Sequence, residues 1–149
     1  MTLQAVLLDT NVFVAAGFKP KSHSAQIVAQ VRDGLLPMVW NEQTRQETAF
    51  IVRKIPPLSW DAIAPLFRLE DCYLGDLFPE RFALISDPAD IKFAALADAT
   101  GAVLITMDRD LLSIRDAVAI AIWTPSEFAI SRDRNGDHRK QTYPELHLP

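Results

Sequence analysis

The sequence predicts an α/β fold in which helices cover both faces of a parallel sheet. Short apolar runs alternate with longer amphipathic segments along the chain. The first run, residues 5–8, is continuously apolar, which is typical of a parallel strand buried on both faces. Helix-capping residues stand where several amphipathic segments begin. Strands that alternate with helices join through crossovers, so this pattern favours a sheet between helical layers.

Four short apolar segments are the predicted strands. They cover residues 5–8, 37–40, 102–106 and 118–123. Residues 82–85 are also short and apolar, and a strand and a buried loop both remain open for them.

The helices are predicted from capping residues and from the spacing of apolar side chains. They cover residues 24–33, 41–54, 88–101 and 111–115, with a short last helix that begins at 124–127. Asn41 is a favoured N-cap, and Asp87-Pro88 places an N-cap before a proline at the first helical position. Residues 58–80 are expected to be helical only in part, since Pro65 interrupts a regular helix.

The composition indicates one globular domain. The chain has 149 residues, of which 49% are apolar and 23% are charged, so a disordered chain is not expected. Its single cysteine, Cys72, allows no intrachain disulfide and no cysteine-rich zinc module. The three histidines, His23, His138 and His147, are too scattered in sequence to indicate a zinc site.

The charge and hydropathy patterns indicate where in the cell the protein is expected and which partners are less expected. The chain has no run near the roughly 20 apolar residues that span a bilayer, and no basic run precedes its first apolar segment. We therefore expect no membrane segment, no secretory signal and a cytoplasmic location. The net charge is −4, whereas nucleic-acid-binding proteins are usually basic, so the charge alone disfavours nucleic acid.

Acidic residues follow two of the predicted strands near the point where each strand ends. Asp9 comes directly after the first strand, and Asp108 comes shortly after the strand at 102–106. Ligand sites in α/β sheets lie beyond the carboxyl ends of the strands. If both strands are central and parallel, these carboxylates lie at the same edge of the sheet.

Two further acids come from predicted helices. Glu47 lies in the apolar stripe of its helix, where a carboxylate is costly to bury unless it is paired or bound to a metal. An ion pair of Glu47 with Arg53 or Arg81 remains an alternative. Asp90 lies in the first turn of the helix that starts at Pro88, and therefore near the same edge of the sheet.

Several of these acids also have an ordinary structural interpretation. Asp87 is most simply the N-cap of its helix, and Asp110 is either part of the site or the cap of the short helix after it. Asp90 could instead complement the helix dipole, and Asp9 could start a turn. The joint placement of the acids is what indicates a site.

Four acids in one place would repel one another, and a divalent cation would relieve that repulsion. Oxygen ligands without histidine or cysteine favour Mg²⁺ or Mn²⁺ over zinc. Such an ion can activate a water and neutralise charge that develops on a phosphodiester. The pattern therefore predicts metal-assisted hydrolysis of a phosphodiester.

Four motifs, in order along the chain, resemble those of the PIN-domain ribonucleases. They lie at residues 7–13, 41–47, 87–97 and 101–112, and residues 122–128 resemble the last strand and helix of that fold. The resemblance implies a three-layer α/β/α sandwich with a mainly parallel central sheet. Residues 1–130 would form the PIN-like nuclease domain, and residues 131–149 a polar, loosely ordered C-terminal tail.

The resemblance also implies a site and an activity. The implied catalytic and metal-binding acids are Asp9, Glu47, Asp90 and Asp108. The implied supporting residues are Asn11, Thr106 and Asp110. The activity would be that of a Mg²⁺- or Mn²⁺-dependent endoribonuclease whose products carry 5′-phosphate and 3′-hydroxyl ends. The chain departs from the family pattern at Ile91, where related sequences often have a second acid.

The motifs are most similar to those of VapC-type toxins, the toxin components of prokaryotic toxin–antitoxin pairs. This similarity implies an RNA substrate, a homodimer and a small antitoxin as partners. Two basic groups are candidates for contact with the RNA backbone, with solvated surface as the alternative for each. One comprises Lys19, Lys21 and His23, and the other comprises Arg132, Arg134, Arg139 and Lys140.

Two other functions remain open from the sequence. A Mg²⁺-dependent phosphatase of the haloacid dehalogenase type also begins with an aspartate after its first strand. That chemistry needs a second aspartate two residues later, where this chain has Asn11. The other alternative is a binding module that keeps the PIN fold and its acids without catalysing a reaction.

Overall fold

The computed structural model describes residues 4–142 of the chain, and it describes side chains as far as residue 133. Its sheet consists of three parallel strands, β1 (Val6–Leu8), β2 (Val103–Ile105) and β3 (Ile122–Trp123). They are hydrogen-bonded in the order β1-β2-β3, and Leu8 lies opposite Ile105. The carboxyl ends of β1 and β2 therefore lie side by side.

Helices surround this short sheet. The α-helices of the described residues are α1 (Thr10–Phe18), α2 (His23–Arg32), α3 (Glu42–Arg53), α4 (Trp60–Ile63), α5 (Pro88–Thr100), α6 (Arg109–Ser113) and α7 (Pro125–Thr142). Short 3₁₀ helices lie at Ala64–Leu66, Leu69–Asp71, Pro79–Phe82 and Arg115–Ala117.

Side chains of the strands alternate between two apolar layers, as the pleat of a strand requires. Leu8 and Ile105 belong to a cluster with residues of α1, α2 and α7. Leu7 and Leu104 belong to a second cluster, with residues of α5 and α6. The sheet is therefore buried on both faces, and the predicted three-layer α/β/α arrangement is confirmed.

Helix ends follow the local signals in the sequence. Asn41 caps α3 in a reciprocal capping box with Thr44, and Asp87 caps α5 by accepting a hydrogen bond from the backbone N–H of Ala89 at 3.0 Å. Gly101 ends α5 with a φ of 73°, a left-handed conformation that glycine adopts without strain.

Two local predictions differ from the structure, and one open alternative is decided by it. After Asp9 the chain forms helix α1, for which the sequence suggested no more than a turn, because Asp9 serves as an N-cap. The predicted strand at 37–40 is reduced to isolated bridges, from Met38 to Val6 and from Trp40 to Cys72. Residues 82–85 are no strand: a 3₁₀ helix ends at Phe82 and a turn follows.

The last helix is longer than the sequence predicts. Helix α7 continues to Thr142, through residues 131–142 that were expected to be loosely ordered. Residues 143–149 lie outside the described residues. The division into a nuclease domain at 1–130 and a loosely ordered tail at 131–149 stays a prediction. Among the described residues, no helix has the length and apolar character needed to cross a membrane.

Candidate metal centre

Asp9 stands directly at the carboxyl end of β1. Its backbone N–H donates to the carbonyl of Ile105 at 3.0 Å, so the end of β2 fixes its position. One carboxylate oxygen, Oδ1, accepts a hydrogen bond of 2.8 Å from the backbone N–H of Thr10 at the start of α1. The side chain is 7% exposed.

Thr106 connects Asp9 to the acid that follows β2. Its hydroxyl Oγ1 donates to Oδ2 of Asp9 at 2.6 Å and accepts from the backbone N–H of Asp108 at 2.9 Å. Asn11 completes the connection, because its Nδ2 donates to Oδ2 of Asp9 at 3.3 Å and its Oδ1 accepts from the backbone N–H of Met107 at 3.2 Å. Both residues hold Asp9 and the loop after β2 in one arrangement.

Asp108 is the N-cap of α6. Its Oδ1 accepts a hydrogen bond from the backbone N–H of Asp110 at 2.9 Å. The interpretation of Asp110 as the cap of this helix is therefore wrong, since the aspartate two residues earlier has that role. Asp110 itself is exposed in the first turn of α6.

Asp90 reaches the same place from α5, which packs in the same apolar layer as α6. It lies in the first turn of α5, and it is 8% exposed. Carboxylate oxygens of three residues, Asp9, Asp90 and Asp108, lie within 4.8 Å of one another. The predicted meeting of acids from β1, β2 and α5 is thus what the structure contains. Asp87, in contrast, faces solvent as a helix cap.

Burial and repulsion between carboxylates raise the pKa of two acids of the cluster, Asp9 and Asp90. The pKa of Asp90 is raised from 3.8 to about 7, first by burial and then by the charges of Asp108, Asp9 and Asp87. Burial also raises the pKa of Asp9, against the lowering effect of its hydrogen bonds from Thr106 and Thr10. Asp9 and Asp90 therefore resist ionisation, and a bound cation would stabilise their charged forms.

Glu47 lies beside the cluster and has a cationic partner. Its Oε1 is 3.1 Å from Nζ of Lys92 on α5, and the two side chains are 24% and 35% exposed. The suggested partners Arg53 and Arg81 are therefore wrong: Arg53 lies over the ring of Trp60, and Arg81 pairs with Asp98. The charge of Glu47 still raises the pKa of Asp9, so the two carboxylates are electrostatic neighbours.

Two features of this region were missed in the sequence. The hydroxyls of Thr10 and Thr48 lie 2.9 Å apart in the core and tie α1 to α3 beside Glu47. Lys92, two residues after Asp90, neutralises Glu47. The signal for Lys92 was its place within the third motif, but nothing in sequence spacing indicates that α3 and α5 pack together.

The residues present fit a hard divalent cation. The cluster offers one oxygen from each of three carboxylates, and it contains neither histidine nor cysteine. Such a donor set suits Mg²⁺ or Mn²⁺. Thr106 and Asn11 donate hydrogen bonds to Oδ2 of Asp9, and such bonds would orient this carboxylate if it held a cation.

Fold and site together define an α/β protein with a group of carboxylates at the carboxyl edge of a parallel sheet. A family model described as PIN domain matches residues 5–110, so the chain belongs to the PIN-domain family. Members of this family are generally metal-dependent nucleases.

A solved structure shares the fold. The crystal structure of PAE2754 from Pyrobaculum aerophilum is similar with a TM-score of 0.52 at 17% sequence identity, over 87% of this chain and 96% of that chain. At this identity the similarity shows the fold alone. No match to a curated protein was found.

Proposed function

We propose that this protein is a Mg²⁺- or Mn²⁺-dependent endoribonuclease that hydrolyses phosphodiester bonds in RNA. The observation that carries the proposal is the meeting of Asp9, Asp90 and Asp108, whose carboxylate oxygens lie within 4.8 Å of one another. Membership of the PIN-domain family supports the nuclease class. The motif resemblance supports RNA as the substrate.

Each residue of the site has a role in this proposal. Asp9, Asp90 and Asp108 would hold the cation, and Glu47 adds negative charge beside them. The bound cation supplies an activated water and neutralises charge on the phosphodiester. Thr106 and Asn11 orient the carboxylate of Asp9 through their hydrogen bonds.

A cleavage assay tests this proposal. Purified protein is incubated with a panel of structured and unstructured RNAs in Mg²⁺, Mn²⁺ or EDTA, beside matched DNA. We expect metal-dependent RNA cleavage that leaves 5′-phosphate and 3′-hydroxyl ends. Asp9→Asn should abolish it, because an amide at this position can still cap α1 but carries no charge for the cation.

The matched control is Asp98→Asn. Asp98 is also on α5, but its carboxylate pairs with Arg81 at 3.2 Å, away from the cluster. This variant should cleave as the wild type does. Cleavage that survives EDTA and Asp9→Asn would contradict the proposal. Mn²⁺ binding at the cluster without cleavage of any RNA would favour the binding-module alternative.

We also propose a biological setting. The order of the motifs supports a VapC-type toxin that acts in the cytoplasm as a homodimer and is inhibited by a small antitoxin encoded nearby. Induced expression of the wild-type protein should arrest bacterial growth, and expression of Asp9→Asn should not. Growth arrest by both the wild type and Asp9→Asn, or by neither, would contradict the toxin assignment. Light scattering on the purified protein tests the homodimer.

A further inference from the structure

Helix α3 carries an exposed patch of cationic and aromatic side chains. Six residues line a shallow cavity of about 460 Å³ there: Arg45, Gln46, Ala49, Phe50, Arg53 and Lys54. They comprise three cations and no acid, although the whole chain has a net charge of −4. We call these six residues the α3 patch.

Phe50 is the aromatic centre of the α3 patch. Its side chain is 57% exposed, and Nζ of Lys54 lies 3.7 Å from the centre of its ring. A cation–π contact at such an exposed position is weak, so Lys54 can exchange the ring for another partner. Phe50 therefore presents an accessible flat apolar surface next to a mobile positive charge.

The two arginines of the patch lie over a different aromatic ring. The guanidinium carbons of Arg45 and Arg53 lie 5.3 and 5.6 Å from the ring centre of Trp60, which is buried. Arg45 also pairs with Glu42 at 3.6 Å, whereas Arg53 is exposed. Arg53 is thus an exposed cation of the α3 patch that lies over the ring of Trp60.

The α3 patch lies on the same helix as Glu47, the electrostatic neighbour of Asp9 in the carboxylate cluster. Glu47, Phe50 and Lys54 are spaced by three and four residues, so they follow one face of the helix. The distance along the axis from Glu47 to Lys54 is about 10 Å. The hydrogen bond between Thr10 and Thr48 fixes this part of α3 against the start of α1, directly after Asp9.

We propose that the α3 patch binds single-stranded RNA next to the scissile phosphate, with a base stacked on Phe50 and backbone phosphates contacting Lys54 and Arg53. This inference rests on the proposed ribonuclease function. Carboxylates repel a phosphate backbone, so a strand that approaches the cluster needs cations close by. Aromatic faces beside cations are the elements with which proteins bind single-stranded nucleic acid.

The other basic groups are less suited to this role. Lys19 and Lys21 follow the end of α1, and Asp9 caps its start, so about 13 Å of helix separates them from the cluster. Arg132 is 7% exposed, and its Nη2 donates to the carbonyl of Leu35 at 3.0 Å. The side chains of Arg134, Arg139 and Lys140 lie outside the described residues.

The inference is tested by RNA binding without cleavage. A fluorescent single-stranded RNA that the wild type cleaves is titrated with Asp9→Asn protein, and anisotropy gives the Kd at several salt concentrations. Adding Phe50→Ala should weaken binding about tenfold and leave the salt dependence unchanged, because stacking involves no ion release. Adding Lys54→Gln should reduce the slope of log Kd against log salt by about 0.7, the value for one phosphate contact.

Phe78 offers a matched control. It is 40% exposed, and the guanidinium of Arg81 lies 4.4 Å from its ring centre, so it is another exposed cation–π pair. Phe78→Ala should leave the Kd unchanged. Phe50→Tyr should restore binding, since tyrosine also stacks on a base.

The outcomes separate the two claims. If the wild type cleaves RNA but Phe50→Ala and Lys54→Gln change neither the Kd nor its salt dependence, the inference is wrong and the proposed function stands. If no RNA is bound or cleaved, the proposed function fails and the inference fails with it. A Phe50→Ala variant with unchanged RNA affinity but altered oligomeric state would show an interface between copies of this chain, which also contradicts the inference.

Discussion

The hydroxyl of Thr106 donates a hydrogen bond of 2.6 Å to the carboxylate of Asp9 across 97 residues of sequence. The two residues directly follow Ile105 and Leu8, which are paired in the sheet. The register between β1 and β2 therefore places this contact. Because the same hydroxyl accepts from the backbone N–H of Asp108, one side chain connects two acids of the cluster.

We predict that Thr106→Val destabilises the fold and weakens the metal site. The variant leaves the backbone N–H of Asp108 and the carboxylate of Asp9 without the hydroxyl, and Thr106 is fully buried. The expected loss in free energy of unfolding is about 1–3 kcal/mol. Calorimetric titration should show Mn²⁺ affinity reduced by about 10–100-fold, as for other residues that orient a ligand.

Thr106→Ser is the control for this variant. Serine keeps the hydroxyl and loses only a methyl group, so Mn²⁺ affinity should remain close to that of the wild type. Equal affinity in the serine and valine variants would show that the hydrogen bond to Asp9 does not orient the carboxylate.

The raised pKa of Asp90 predicts a dependence of stability on pH. Folding raises the pKa of this carboxyl from 3.8 to about 7. Between these values the folded state binds more protons than the unfolded state, so the contribution of Asp90 to the free energy of unfolding falls as the pH rises. Asp90→Asn removes that contribution. In EDTA, the Tm of the variant should therefore rise relative to the wild type from about pH 5 to about pH 8.

Two additional measurements make the pH prediction specific. Mn²⁺ should stabilise the wild type more at the higher pH, because the cation competes with protons for the carboxylates. Asp98→Asn, on the same helix but paired with Arg81, should show no such trend relative to the wild type. A Tm difference between Asp90→Asn and the wild type that does not change with pH would refute the assigned shift.

Substitutions of Glu47 and of Lys92 should change the Mn²⁺ affinity in opposite directions. Glu47→Gln removes a negative charge beside the cluster and should lower Mn²⁺ affinity about tenfold or more. Lys92→Gln removes the positive charge that neutralises Glu47, so it should raise Mn²⁺ affinity. Both variants should remain within about 1 kcal/mol of the wild type in stability, as is usual for partly exposed pairs. Affinities shifted in the same direction would exclude Glu47 from the site.

Arg132 should be important for stability and not for RNA binding. Its guanidinium is buried against the carbonyl of Leu35, at the end of α2. Arg132→Met should lower the free energy of unfolding by about 1–3 kcal/mol. The Kd for single-stranded RNA at fixed salt should be unchanged, with Lys21→Gln as an exposed control that alters neither property. Weaker RNA binding without loss of stability would contradict this prediction and indicate that Arg132 contacts the RNA.

Local patterns in the sequence were sufficient for the starts of several helices and for the three acids that form the carboxylate cluster. Capping preferences located the starts of α3 and α5, because caps act within a few residues. Asp9 and Asp108 were predictable because the carboxyl ends of parallel strands meet at one edge. The position of Asp90 was predictable because the N-cap Asp87 fixes where the first turn of α5 begins.

The remaining features depend on packing between distant elements. The ion pair of Glu47 with Lys92 requires that α3 lies beside α5, which spacing along one helix cannot indicate. Asp9 was ambiguous since aspartate favours turns and N-caps for similar reasons. The polar composition after residue 130 gave no sign that Arg132 is buried, because its contact with Leu35 forms only when the fold brings the two residues together.

We propose above that Asp9, Asp90 and Asp108 hold a divalent cation used in RNA cleavage. The most direct measurement is a crystal structure of the wild type soaked in Mn²⁺, with the ion located by its anomalous scattering. We expect an anomalous peak in contact with all three carboxylates, and we expect it to disappear in a crystal of Asp90→Asn. A protein that cleaves RNA only with Mn²⁺ but binds the ion elsewhere, with the three carboxylates free, would contradict it.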